Sequence, residues 1–265
     1  MGKFDGYLIC SDVDSTLTYE AGKVSEKNAK AIKYFQSEGG LFTLATGRAP
    51  SFLEHFKGQI EINAPIVSFN GTLLYDTKKD EIIKTWPMEK SKVYKVFKTL
   101  QKKYPEVWHY SFGVNTSINA QYDAKNHTYD DGSLDELFDT FPNEMYKVLT
   151  VQSEELTLKI KDDFNNRFGD ELQFYRSWNE GLEIVSLTSG KGIAVDYLKK
   201  HLGGKIHTTV GVGDYENDIT LLEYADIGYA VENSLEEVKK AADRVTVKNT
   251  ENAMAAVIAD LESEL

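Results

Sequence analysis

The order of apolar and polar positions divides the chain into three stretches. The first opens with an apolar run, Tyr7-Leu8-Ile9-Cys10-Ser11, that stops at two carboxylates one residue apart, Asp12 and Asp14, followed by Ser15 and Thr16. This predicts a buried strand that delivers polar side chains to a loop at a sheet edge. Residues 25–38 place Ile32 and Phe35 on one helical face, with Ser25 as candidate N-cap and Gly39-Gly40 as the stop. A second buried strand, 41–45, ends at Thr46-Gly47-Arg48, and a third, 65–69, ends at Asn70-Gly71. Residues 72–75 and 81–86 predict a hairpin leaving the sheet.

From about residue 87 to 188 the pattern changes. Val93, Val96, Phe97 and Leu100 mark one helix face and Leu156, Ile160, Phe164 and Phe168 another, while 108–113, 117–122, 146–151, 172–175 and 182–186 predict strands. The mixed order with hairpin-like pairs predicts a separate α/β unit inserted into the first. Strict alternation resumes at Ser189. A helix over 190–202 has Ile193, Ala194, Tyr197, Leu198 and Leu202 inward and Lys191 in its first turn. A strand over 207–212 then ends in Gly213-Asp214-Tyr215-Glu216-Asn217-Asp218. Helix, strand (227–231), helix and strand (244–247) follow, and a last helix aligns Met254, Val257, Ile258 and Leu261. The expected fold class is α/β: a doubly wound, Rossmann-like parallel-sheet core from residues 1–86 and 189–265, with an α/β cap domain, 87–188, inserted.

Composition narrows the picture. With 265 residues, 41% hydrophobic and 27% charged, the chain reads as globular and large enough for two cores. A single cysteine, Cys10, excludes an internal disulfide framework and a multi-cysteine zinc site and fits a reducing compartment, so a cytoplasmic location is expected. Residues 1–5 lack the apolar core of a secretory signal. No run approaches the ~18 apolar residues of a membrane helix. A net charge of −12 without a basic block argues against nucleic acid. A small anionic substrate, a phosphorylated metabolite for example, requires local positive charge to overcome that field. A monomer or weak homodimer is the expected state.

Four predicted strand ends carry polar side chains: Asp12 and Asp14; Thr46, Gly47 and Arg48; Asn70; and Asp214 with Asn217 and Asp218. In an open α/β sheet ligands bind at the carboxyl ends of strands, so these loops can converge. Carboxylates clustered without histidine favour a hard, oxygen-seeking cation, magnesium before zinc. Magnesium beside a lysine and a Thr/Asn pair suits phosphoryl transfer, which needs charge neutralisation and an in-line nucleophile. Lysine in a first helical turn opposes the helix dipole, so Lys191 is poorly placed for a residue content with solvent.

Taken in order, Asp12-Val13-Asp14-Ser15-Thr16, Ala45-Thr46-Gly47-Arg48, Lys191 and Gly213-Asp214-Tyr215-Glu216-Asn217-Asp218 resemble the motifs of the haloacid dehalogenase superfamily. With Ser68-Phe69-Asn70-Gly71, the large insertion and the tail Ala230-Val231-Glu232-Asn233-Ser234, the layout is similar to its Cof-type phosphatases nearly end to end. The resemblance implies magnesium-dependent hydrolysis of a small phosphate monoester. Asp12 would attack phosphorus to give an aspartyl-phosphate, and Asp14 would protonate the leaving oxygen and then take a proton from the hydrolytic water. Thr46 and Lys191 would hold the phosphoryl group, assisted by Asn70 and, on the substrate side, by Gly47 and Arg48. Mg2+ would bind Asp12, the backbone carbonyl of Asp14 and Asp214, with Asp218 and Asn217 in support. Two positions depart from the pattern: Ser15 replaces the usual glycine, which is tolerable if that turn keeps φ negative, and Ser11 stands where the strand is usually apolar. A phosphomutase, or a phosphate-binding regulator without catalysis, is the alternative on the same fold. In the insertion, Trp108, His109, Tyr110, Asn115, Tyr122, Arg176, Trp178 and Asn179 mix rings with hydrogen-bonding groups, which suits a sugar or polyol phosphate and makes Arg176 and Trp178 substrate-binding candidates.

Overall fold

The computed structural model describes residues 2–20, 22–112, 117–120, 122–123, 128–129, 134–140 and 144–265. The chain divides into two units, Met1–Thr85 with Gly190–Leu265, and Trp86–Ser189.

In the first unit the opening apolar run is β1 (Tyr7–Ser11), buried from Leu8 onward. Its neighbour α1 (Glu26–Ser37) starts where the Ser25 hydroxyl accepts the Asn28 amide at 3.1 Å and stops at Gly39, which takes φ 94°. β2 (Leu41–Leu44) returns parallel to β1. β3 (Ile66–Ser68) is tied to the end of β2 through a parallel bridge between Ala45 and Val67 and continues into an antiparallel ladder with β4 (Leu73–Asp76) and β5 (Glu81–Thr85).

The second unit runs through α2 (Lys90–Lys103), β6 (Trp108–Phe112), β7 (Ser117–Ala120), the pair β8 (Tyr122–Asp123) and β9 (Thr128–Tyr129), α3 (Leu134–Thr140), β10 (Lys147–Val151), α4 (Glu154–Phe168), β11 (Leu172–Trp178) and β12 (Gly181–Ser186). Five strands form an antiparallel sheet in the order β11-β12-β10-β6-β7. Val93, Val96, Phe97 and Leu100 of α2 and Ile160 and Phe164 of α4 are fully buried with Val148, Leu182 and Ile184, so the helical periodicity of this stretch marks its core. α3 and the β8–β9 pair are too short to carry a periodic signal. Asn115 lies outside the described residues.

The chain then returns to the first unit with α5 (Lys191–His201), β13 (Thr208–Gly213), α6 (Ile219–Tyr224), β14 (Ile227–Ala230), α7 (Glu236–Ala241), β15 (Arg244–Val245) and α8 (Ala253–Ser263). The sheet order is β15-β14-β13-β1-β2, parallel throughout, with α1 packed on α8 and α5 on α6. Strand order reverses between β1 and β13, the switch point at which an open α/β sheet gathers ligands. Met254, Val257, Ile258 and Leu261 of α8 are buried against this sheet's core, as their spacing predicts. α5 differs from expectation: its buried side is Lys191, Gly192, Ala194, Val195 and Leu198, and Tyr197 is 36% exposed. The helix is turned toward α6 by Gly192, where an added Cβ would stand 2.0 Å from the Thr220 carbonyl oxygen. Among the described residues no helix is long and apolar enough to cross a membrane.

Candidate active site

β1 hands over to the first loop at Asp12, whose amide still continues the ladder by donating to the Val212 carbonyl at 2.8 Å. The loop closes where the Thr18 amide and hydroxyl both donate to the Val13 carbonyl, at 3.0 and 2.9 Å. Ser15 corrects the sequence reading. It takes φ 60°, in the left-handed region, rather than the negative φ that would make a serine comfortable there. The cost is on the order of 1 kcal/mol relative to glycine. It is met by a tie across the fold, the Asn233 side-chain amide donating to the Ser15 carbonyl at 2.9 Å.

The second and third strand ends are locked together by backbone. The Asn70 amide donates to the Thr46 carbonyl at 2.9 Å, and the Arg48 amide to the Thr46 hydroxyl at 3.2 Å. Asn70 itself has φ 58°, a conformation asparagine tolerates better than most residues. Gly47 permits this approach, since a Cβ there would lie 3.0 Å from the Asn70 side-chain oxygen. The Asn70 Oδ1 accepts the Asn217 side-chain amide at 3.1 Å, which links this loop to the one after β13. Gly71, at φ 90°, crosses the start of α5 so closely that a Cβ would meet the Gly190 oxygen at 2.1 Å. That crossing sets Asn70 beside Lys191.

Lys191 is fully buried, with its ammonium 2.5 Å from Asp12 Oδ1 and 2.6 Å from Asp218 Oδ1. Burial by itself would depress its pKa; the two carboxylates more than reverse that, so it stays charged. The second oxygen of Asp218 accepts the Asp214 and Tyr215 amides at 2.9 and 3.2 Å, bracing the loop, and Gly213 leaves room for it. Asp214 in turn accepts the Thr16 hydroxyl at 2.9 Å. Burial, with Asp218 and Asp14 adding to it against the pull of Lys191, pushes the Asp12 carboxyl up to about 7. Burial and the charges of Asp12 and Asp218 also push Asp214 well up.

Three buried carboxylates, Asp12, Asp214 and Asp218, offer oxygens within 4.8 Å of one another. One ammonium does not balance three carboxylates, and that deficit adds to burial in raising Asp12 and Asp214. Asn217 Oδ1 is buried as well, with no hydrogen-bond partner among the described residues. An all-oxygen donor set with surplus negative charge fits a hard divalent cation.

Asp14 and Arg48 form a pair of their own. The Asp14 carboxylate is not in the acidic cluster; it is half exposed and gripped bidentately by Arg48, Nε to Oδ2 at 2.7 Å and Nη2 to Oδ1 at 2.8 Å. The Asp14 bond, opposed by partial burial, holds the Arg48 guanidinium firmly in its charged form. Arg176 and Trp178 belong to the second unit, on β11, where Arg176 lies 3.7 Å from Glu154 and the Trp178 ring covers Gly181. Thr16, whose hydroxyl holds Asp214, has a role that its motif does not reveal. Its only sequence signal is a hydroxyl two residues after the second aspartate.

The model of the haloacid dehalogenase-like hydrolase family matches residues 9–258. The chain is similar to the 5-amino-6-(5-phospho-D-ribitylamino)uracil phosphatase YitU of Bacillus subtilis, 24% identical over 263 residues that cover 94% of this chain and 95% of that protein. Among solved structures it is similar to a haloacid dehalogenase-like hydrolase from B. subtilis, with a TM-score of 0.80 and 23% identity over 95% of this chain and 98% of that one. It is also similar to a sugar phosphatase of haloacid dehalogenase subclass IIB, with a TM-score of 0.78 and 20% identity over 96% and 98% of the two chains.

Proposed function

The chain belongs to the haloacid dehalogenase-like hydrolases and is a phosphatase, and we propose that it uses magnesium to hydrolyse a small sugar or polyol phosphate monoester through an aspartyl-phosphate. The observation that carries this reading is the joint placement of Asp12, Asp214 and Asp218, in the loops after β1 and β13, around the ammonium of Lys191 at the start of α5. Asp12, Asp214 and the backbone carbonyl of Asp14 would hold Mg2+, with Asp218 and Asn217 behind them; when bound, the ion neutralises charge on the phosphoryl oxygens.

The chain's own groups do the rest. An Asp12 carboxylate oxygen attacks phosphorus as the phosphorus–ester oxygen bond breaks. The departing oxygen takes the proton of the Asp14 carboxylic acid. Water then adds to phosphorus, giving a proton to the Asp14 carboxylate, and Asp12 leaves as a carboxylate with inorganic phosphate. Lys191, with Thr46 and Asn70, holds the phosphoryl oxygens, and a fixed ammonium there is worth most in the transition state. Arg176 and Trp178 are the candidates for recognising the alcohol part. The relative named above acts on a phosphorylated ribityl chain, which supports a polyol ester.

The test combines turnover with trapping. Over a panel of hexose, pentose, triose and ribityl phosphates, pyridoxal phosphate, flavin mononucleotide and nucleoside monophosphates, inorganic phosphate should be released with Mg2+ and not in excess EDTA. Asp12→Asn should lose at least about a thousandfold in kcat with its fold intact. Beryllium trifluoride should bind the wild type and not Asp12→Asn. Full activity in Asp12→Asn would sink the mechanism, and an isomerised ester in place of inorganic phosphate would make the protein a mutase.

A further inference from the structure

We infer that Arg48 is a positioning residue for the proton donor: it clamps the Asp14 carboxylate in place, with Phe52 as its support. This rests on the assignment of Asp14 as the acid and base of the reaction, made above. Three features of the structure carry it. First, the Nε and Nη2 edge of the guanidinium is filled by both Asp14 oxygens, the two-pronged arrangement that fixes direction as well as distance. Second, the flat side of the guanidinium lies 3.9 Å from the centroid of the Phe52 ring, and Phe52 is itself stacked on His55 at 4.6 Å. Third, the Arg48 main chain is tied on both sides. Its amide donates to the Thr46 hydroxyl, and its carbonyl accepts both the Ser68 hydroxyl and the Phe69 amide. One residue therefore joins the loop after β2, the loop after β3 and the carboxylate of the loop after β1.

Asp14 needs such a hold. Its side chain is 49% exposed and it precedes the left-handed Ser15, so its immediate surroundings do little to choose a rotamer. An acid that wanders among staggered positions delivers its proton slowly, because proton transfer requires hydrogen-bond reach of the departing oxygen. An arginine that only contacted the substrate phosphoryl group would have no reason to stack against Phe52 while spending an edge on Asp14.

The two roles differ in how they depend on the leaving group. An alkyl ester needs a proton on its departing oxygen, whereas p-nitrophenolate leaves without one; kcat/KM reports this first phosphoryl transfer for both. With p-nitrophenyl phosphate and the best alkyl ester of the panel as probes, Arg48→Ala is expected to lower kcat/KM about 10- to 100-fold on the alkyl ester and within about threefold on the aryl ester. Arg48→Lys, which keeps the charge and loses the fork, should fall between. The double variant Arg48→Ala/Asp14→Asn should be no slower than Asp14→Asn, since the two side chains act as one unit. Thermal midpoints identify any variant that loses its fold. If Arg48→Ala does, Arg48→Lys and Phe52→Leu carry the same leaving-group comparison. Equal losses on both esters, or a double variant slower than Asp14→Asn, overturns the inference and makes Arg48 an anion contact. If Asp14→Asn itself shows no leaving-group dependence, the assignment of Asp14 as the acid fails instead.

Discussion

In the proposed mechanism Asp12 has to be ionised to attack, yet burial and its acidic neighbours favour its proton, and the sign of that conflict can be measured. In chelator-treated protein its carboxyl is pushed up to about 7, against ~3.9 in an unfolded chain. Between those values the native state holds a proton that the unfolded chain has released. The resulting stability is fully present below about pH 4 and is lost as pH rises through about 7. The pull of Lys191 is already contained in that value, and the loss should be on the order of a few kcal/mol, several degrees of Tm for a chain of this size. We expect the Tm of the chelated wild type to fall between about pH 4 and 7 relative to Asp12→Asn, and saturating Mg2+ to flatten that difference. Parallel profiles would mean that Asp12 is ionised throughout. At this scale the charged groups were legible in the sequence, because Asp12 and Asp214 end apolar strand runs and Asp14 and Asp218 follow them in the same loops. The φ of Ser15 was not, since it depends on how the turn closes on Val13 and Asn233. Nor was the Asp14–Arg48 pair, whose members lie 34 positions apart in different loops.

Among the elements, the strands and the long helices announce themselves by period, and the site follows because strands end where polarity begins. What period does not give is how closely two elements approach. α5 shows this: the apolar spacing points Tyr197 inward, while the contact of Gly192 with Thr220 turns it out. The same kind of contact at Gly71 sets the separation of Asn70 from Lys191. Gly71→Ala faces both a φ of 90° and a backbone oxygen at 2.1 Å, so it should cost about 2–4 kcal/mol in urea melts and weaken phosphate binding. Gly47→Ala meets only a side-chain amide at 3.0 Å, which can yield, so its stability should change by less than about 1 kcal/mol while KM rises. A Gly71→Ala protein as stable as the wild type would show that the third strand end and α5 separate freely. Glycine is visible in any sequence, but its neighbour across the fold is not.

The whole molecule is strongly acidic, and the proposed phosphoryl site answers that field with Lys191 and the helix start that bears it rather than with a basic surface. The two-part plan was readable where strand-helix alternation breaks and resumes; α3, the β8–β9 pair and the exact packing of α5 were not, because short elements and close approaches leave no period. The central position of β1 between β2 and β13 also has a consequence for synthesis. Translation at ~5–20 residues per second leaves β1 with one edge unpaired for roughly 10 to 40 seconds before β13 is made. The second unit, Trp86–Ser189, is complete before then. Limited proteolysis of chains truncated before Thr208 should therefore find Trp86–Ser189 protected and residues 1–85 cleaved, and protection of 1–85 in such chains would overturn this order of folding. With Asp12 as the proposed nucleophile before the insertion and its acidic partners after it, the phosphatase is expected to stay inert until the ribosome has passed Asp218, so a chain that stops short should yield no partly active product.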